Sequence, residues 1–300
     1  MTSASTGETL VLTSRRVPWA AVAAFIVLSF GLAWLIALPL WLGGGLGDPL
    51  SVLVTSLIML APATAAVVVL LVTRTPKPVS WLGLSPRGRW RPILRFGLLG
   101  ALGAVGVSVA ALLLASAAGL VDIALPPDWW MSVALIVPLA VLIGVLAVGE
   151  EIGWRGFLQP ALSPLGVWPA LIITGIAWGL WHAPLVLLGY NYGSTDPLVL
   201  APMVVTTVLI GIVIGWMRMR TGSVYPGAFA HGALNASASL VPLALTTTGV
   251  IDTSATVLGW TGWLAVAVVI ATIVAARQLT WSEQPRPLGS TRVERSTVEK

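Results

Sequence analysis

Cysteine is absent from the 300-residue chain. That excludes a disulfide-held secreted scaffold and any mechanism built on a thiol nucleophile. Charge is nearly as scarce: Asp, Glu, Lys and Arg together make up 9% of the residues, against about 25% in ordinary soluble domains. So few charges cannot cover a globular surface in water. Disorder is excluded for the opposite reason, because disordered chains are poor in apolar residues and here 57% are hydrophobic. Histidine occurs only twice, at His182 and His231.

What the chain has instead is long apolar runs. Eight stretches are long enough for membrane-crossing helices of about 20 residues: Val17–Leu42, Ser51–Thr73, Ile93–Gly119, Met131–Gly149, Val167–Gly189, Leu198–Met217, Gly227–Thr248 and Val257–Ala276. Barrel strands are alternating runs of about 10 residues, so the expected class is all-α, a polytopic transmembrane bundle of eight spans. The first run is too long for a signal-peptide core and no A-x-A-like site follows it, which reads as a retained anchor. The expected organisation is an amino tail at 1–16, a transmembrane domain at 17–276 and a polar, disordered carboxyl tail at 277–300.

The charges then sort by side. Of the 16 basic residues, 15 fall in the two tails or in the linkers after the second, fourth and sixth spans, including Arg74, Lys77, Arg87, Arg89, Arg91, Arg155, Arg218 and Arg220, and Arg95 stands at the entry of the third span on the same side. The opposite linkers carry only Asp48, Asp122, Asp128, Asp196 and Asp252. The positive-inside rule puts both termini in the cytoplasm of a plasma membrane. Trp41, Trp81, Trp90, Trp129, Trp130, Trp168, Trp216, Trp260 and Trp281 near the span ends read as an interfacial belt. The basic linker after the second span reads as a contact for anionic lipid headgroups; no aromatic-interleaved module accompanies it, so nucleic acid is not an expected partner.

A few ionisable residues are left unexplained by topology, and such groups inside a membrane mark a functional site or a buried pair. In G-E-E-I-G-W-R-G-F-L-Q-P (149–160), Glu151 and Arg155 are four apart on one helix face and suited to pairing, while Glu150 points about 100° away. In I-A-W-G-L-W-H-A-P (176–184), Trp178 and His182 share a face, and Pro184 tends to kink the helix. In G-A-F-A-H-G-A-L-N-A (227–236), His231 and Asn235 share a face flanked by Gly232, Ala233 and Ala236, which allow close helix approach. Each constellation also has a purely structural reading, as a helix-ending acid pair, a packed histidine or an interhelical His–Asn bond. Jointly, a carboxylate, two imidazoles and an amide are the parts needed to activate water and polarise a carbonyl. One difficulty stands: if the fourth helix runs on to about Leu158, Glu150 lies roughly 12 Å inside its cytoplasmic end and His231 roughly 8–10 Å inside its own, but His182 roughly 22 Å. A tilt, the Pro184 kink or a fifth helix starting outside the bilayer would be needed to bring them level.

These residues resemble the CPBP (CAAX protease and bacteriocin-processing, or Abi) intramembrane proteases, which include the type II CAAX prenyl endopeptidases. The likeness rests on E-E-x-x-x-R at Glu150, Glu151 and Arg155, aromatic-x-x-x-His at Trp178 and His182, and His-x-x-x-Asn at His231 and Asn235, and covers roughly 130–240. The chain departs from the pattern at Trp178, where the family usually has Phe. The resemblance implies a water-filled intramembrane cavity open toward the cytoplasm and peptide hydrolysis without an acyl-enzyme. It implies Glu150 as the base that activates water, helped by His182, with His231 and Asn235 on the oxyanion and Glu151 and Arg155 in support. The expected substrates are membrane-associated peptides, of prenylated or leader type. Metal-free catalysis is the favoured reading; H-E-x-x-H is missing, yet Glu150, His182 and His231 would also make a Zn²⁺ set. The alternatives are a non-catalytic scaffold or immunity-type protein on the same fold, and a proton-coupled transporter using Glu150.

Overall fold

The computed structural model describes residues 16–86, 88–246, 253–283, 285 and 288. Among them there is no strand, and eight helices are long and apolar enough to cross a membrane: α1 Trp19–Leu42, α2 Ser51–Val72, α3 Trp90–Ala117, α4 Trp129–Leu165, α5 Val167–Val186, α6 Pro197–Thr221, α7 Tyr225–Leu245 and α8 Thr253–Ala275. The protein is an all-α polytopic bundle. Leu71, Leu98, Val145 and Val268 stand exposed on its outer face, a surface suited to lipid and not to water. Lipid gives apolar helices no hydrophobic reason to associate, so close packing of small residues does that work. Ala33, Ala37, Ala65, Ala66, Ala111 and Ala115 are fully buried, and a Cβ on Gly232 of α7 would collide with the Ala140 carbonyl and the Gly144 backbone of α4.

One boundary differs from expectation in a way that matters. The fourth apolar run ends at Gly149, but the helix does not. It continues through Glu150 and Glu151, widens into a π-helical stretch over Ile152–Leu158 and carries on to a last turn at Ser163–Leu165. Pro160 has no N–H for the carbonyl four residues back, and π turns of this kind gather at functional sites. Arg155, expected in a cytoplasmic linker, is therefore inside the bundle and 1% exposed. The polar residues interrupt the hydropathy pattern without ending the helix, because their charges find partners within it.

The bundle has two chemically distinct ends. At one end Arg89 pairs with Glu283 at 3.3 Å, and the Arg218 guanidinium donates to the Arg155 and Trp81 carbonyls. Residues 277–283 of the expected tail pack here: Trp281 sits against Leu171, Ile212 and Met219, and Ser282 N donates to Met219 O. At the other end Trp41 Nε1 donates to Pro184 O, Ala124 N to Leu245 O and Tyr192 Oη to Leu258 O. Residues 1–15, Arg87, Asp252 and most of the carboxyl tail lie outside the described residues.

Candidate active site

The α4 extension resolves the depth difficulty. Glu150 lies 15 residues before Leu165 and His182 lies 15 residues after Val167, so both stand at one height above the α4–α5 turn. Close backbone contact fixes α4 there: a Cβ on Gly149 would lie 2.6 Å from the Met59 carbonyl of α2. Pro184 also acts as expected, but the break falls two residues earlier. The regular part of α5 ends at Trp181, and His182 N turns to Gly179 O at 3.2 Å. The Trp178 carbonyl is left for the His182 ring, whose Nδ1 lies 2.8 Å from it. A carbonyl only accepts, so Nδ1 carries a proton, and when the ring is neutral Nε2 is its basic nitrogen.

The two carboxylates have different partners. Glu151 Oε1 accepts from Arg155 Nη1 at 3.0 Å and from His231 Nδ1 at 3.1 Å, and all three side chains are buried. Glu150 is not bound to that arginine; its Oε2 accepts from Trp178 Nε1 at 2.7 Å. Trp178 ties the groups together. Its ring meets that of His231 edge-on at 5.2 Å and that of His182 at 5.9 Å, and the Arg155 guanidinium lies 4.3 Å from its centroid, within cation–π range. In the sequence Trp178 stood only as the residue sharing a face with His182, and its hydrogen bond to Glu150 was not foreseen. The only signal was the residue type itself, since Phe has no donor.

Glu150, Trp178, His182, His231 and Asn235 all line one cavity of about 560 Å³. Asn235, one turn beyond His231, is exposed to it. Thr55, Ser56, Tyr190, Asn191, Ser239 and Thr253 also line it; their place on the cavity was not legible in sequence, because hydroxyls and amides recur through helices and linkers alike. The Tyr190 phenol is pushed above the ordinary tyrosine value, first by desolvation and then by the charge of Glu150, so it stays a hydroxyl donor. The cavity runs from Glu150 toward Tyr190, Leu243 and Leu258, at the end opposite the basic linkers.

Among the described residues no three His, Cys, Asp or Glu side chains form a group able to hold an ion. Glu150 is turned to an indole N–H, and the His231 imidazole is turned to Glu151. What the arrangement can do without one is hold a carboxylate, a basic imidazole nitrogen and an amide around a single polar space within an apolar bundle.

Comparison with known proteins bears on the same segment. Residues 127–237 match the family described as Type II CAAX prenyl endopeptidase Rce1-like. A protein named CAAX prenyl protease 2, from Methanococcus maripaludis, is 30% identical over 120 residues, covering 36% of this chain. The chain spans 42% of that relative's length. Glu150, Glu151, Arg155, Trp178, His182, His231 and Asn235 all fall inside the matched segment. Over residues 127–237 this membrane bundle is therefore similar to the Rce1-like type II CAAX prenyl endopeptidases.

Proposed function

We propose that the protein is an intramembrane endopeptidase that hydrolyses peptide bonds of membrane-associated peptides with water activated by Glu150. The observation that carries the reading is the gathering of Glu150, His182, His231 and Asn235 on one cavity inside the membrane-spanning bundle. Glu150 removes a proton from water as the oxygen attacks the scissile carbonyl carbon. The His182 Nε2 lone pair orients that water. The Asn235 amide donates to the carbonyl oxygen as negative charge develops there. His231 can donate through Nε2 as well only as an imidazolium, because Nδ1 already faces Glu151; that carboxylate supplies the counter-charge. When the tetrahedral adduct collapses, the C–N bond breaks, and the proton held by Glu150 passes to the departing amine. Arg155 and Glu151 touch no substrate in this scheme; they hold His231 and the Trp178 ring in place.

Every step uses groups of the chain, and none needs a metal. The host membrane in this reading is a plasma membrane, with both termini in the cytoplasm on the strength of the basic linkers. The test is purified protein in lipid nanodiscs incubated with a library of apolar peptides, with new termini found by mass spectrometry. Cleavage by the wild-type protein is expected; its absence across prenylated, leader-type and plain apolar peptides would favour the non-catalytic scaffold.

A further inference from the structure

A second cavity, of about 200 Å³, lies between α3, α6, α7 and α8. On α3 it is lined by Phe96, Leu99, Gly100, Gly103, Ala104 and Val107, whose spacing of three and four is one continuous helix face. Gly103 leaves the groove open, since a Cβ there would meet nothing within 4 Å. The four walls agree in depth. Counted from the basic end of each helix, Phe96 stands roughly 9 Å into α3, Trp216 roughly 8 Å into α6, Ala230 roughly 8 Å into α7 and Val269 roughly 9 Å into α8. From Phe96 to Val107 the groove follows α3 for roughly 16 Å, about half of a hydrocarbon core of roughly 30 Å.

Its chemistry selects the occupant. Trp216 is the one lining residue whose side chain carries a nitrogen or oxygen. A peptide threaded here would leave its N–H and C=O groups without partners, which hydrocarbon surroundings penalise heavily; an acyl chain has no such groups. The mouth at the basic end is cationic. The Phe96 and Trp216 rings meet edge-on at 5.2 Å, which brings the start of α3 beside the end of α6. One turn nearer the basic end, on the same two faces, stand Arg95, four residues before Leu99, and Arg220, four residues after Trp216. Arg95 is exposed, and Arg220 Nη1 reaches the Thr280 hydroxyl at 3.5 Å. Among the described residues neither is paired with a carboxylate.

We propose that this groove is the seat of an anionic phospholipid from the surrounding bilayer. An acyl chain lies along Gly100, Gly103 and Ala104, and the phosphate sits between the Arg95 and Arg220 guanidinium groups, whose forked donors suit it. Ile210 and Leu234 line this groove and the cavity of Glu150 alike, so the bound chain backs on the wall next to Asn235. The seat is independent of the peptidase reading, and its occupancy is measured without turnover.

Protein purified in mild detergent is incubated with an equimolar mixture of phosphatidylglycerol and phosphatidylcholine and repurified, and the retained lipid is identified by mass spectrometry. The wild-type protein is expected to keep phosphatidylglycerol in preference. Gly103→Phe, which fills the groove, is expected to lose the retained lipid, while Leu98→Phe, on the exposed outer face of the same helix, keeps it. Arg95→Ala with Arg220→Ala is expected to retain phospholipid but to take the two headgroups equally. Retention by Gly103→Phe at the wild-type level, or an undiminished preference for phosphatidylglycerol in the double arginine variant, overturns the proposal. So does wild-type protein without retained lipid; if it runs as a pair of chains in light scattering, the groove belongs to a second copy. If Gly103→Phe does not fold, the arginine variant decides alone.

Discussion

Trp178 donates its indole N–H to Glu150 across 2.7 Å, from one membrane helix to another. The bond aims the carboxylate of α4 into the cavity beside His182, and it exists only because an indole stands where a phenyl ring would have served for packing. A hydrogen bond to a charged group contributes about 1.5–3 kcal/mol. Trp178→Phe keeps the aromatic wall and the contact with Arg155 but releases Glu150. Its kcat is expected to fall roughly 10- to 100-fold with KM little changed. Steady-state kinetics on a cleaved peptide decide it; an unchanged kcat removes Trp178 from the positioning of Glu150.

Arg155 is buried, and its partner Glu151 has no route to water. Removing one member of a buried pair leaves an uncompensated charge and costs about 3–5 kcal/mol. Arg155→Ala is expected to lower the melting temperature in detergent, and Arg155→Ala with Glu151→Ala to recover part of the loss. Melting of the single variant at the wild-type temperature would mean that the buried charge pair within α4 does not stabilise the bundle.

Helix packing at Gly232 has no room for a side chain. Overpacking of this kind costs about 1–3 kcal/mol. Gly232→Val should give less folded protein after size-exclusion chromatography, whereas Gly103→Val, at a position with open space around it, should not. Equal yields from the two would show that α4 and α7 are less tightly joined than described.

Metal dependence is open to a direct test. With Glu150 turned to Trp178 and His231 turned to Glu151, hydrolysis is expected to survive phenanthroline and EDTA, and purified active protein to hold well under one equivalent of zinc by elemental analysis. Loss of activity on chelation, restored by Zn²⁺, would replace the metal-free scheme with one in which Glu150, His182 and His231 move together around an ion.

Much of this was legible in the sequence because membrane spans declare themselves by length and apolarity. All eight were located to within a few residues, apart from the far end of α4. There the apolar run stops at Gly149, because Glu150, Glu151 and Arg155 lower the hydropathy without breaking the helix, which runs past even Leu158 to Leu165. The i, i+4 spacings singled out the polar residues of the site. Their meeting could not be read from spacing, since it depends on the α4 extension and on the break at His182. The direction of the cavity was legible least of all. It depends on lining residues from several helices, which share no pattern along the chain.

The central claim is that the Glu150 carboxylate activates the water. Single-turnover cleavage of one identified peptide by purified wild-type and Glu150→Gln protein tests it most directly, with melting temperature as the check on folding. A base of this kind contributes about 10²–10⁴-fold. The expected result is a loss of that size in a variant that melts like the wild type; cleavage by Glu150→Gln at the wild-type rate contradicts the account.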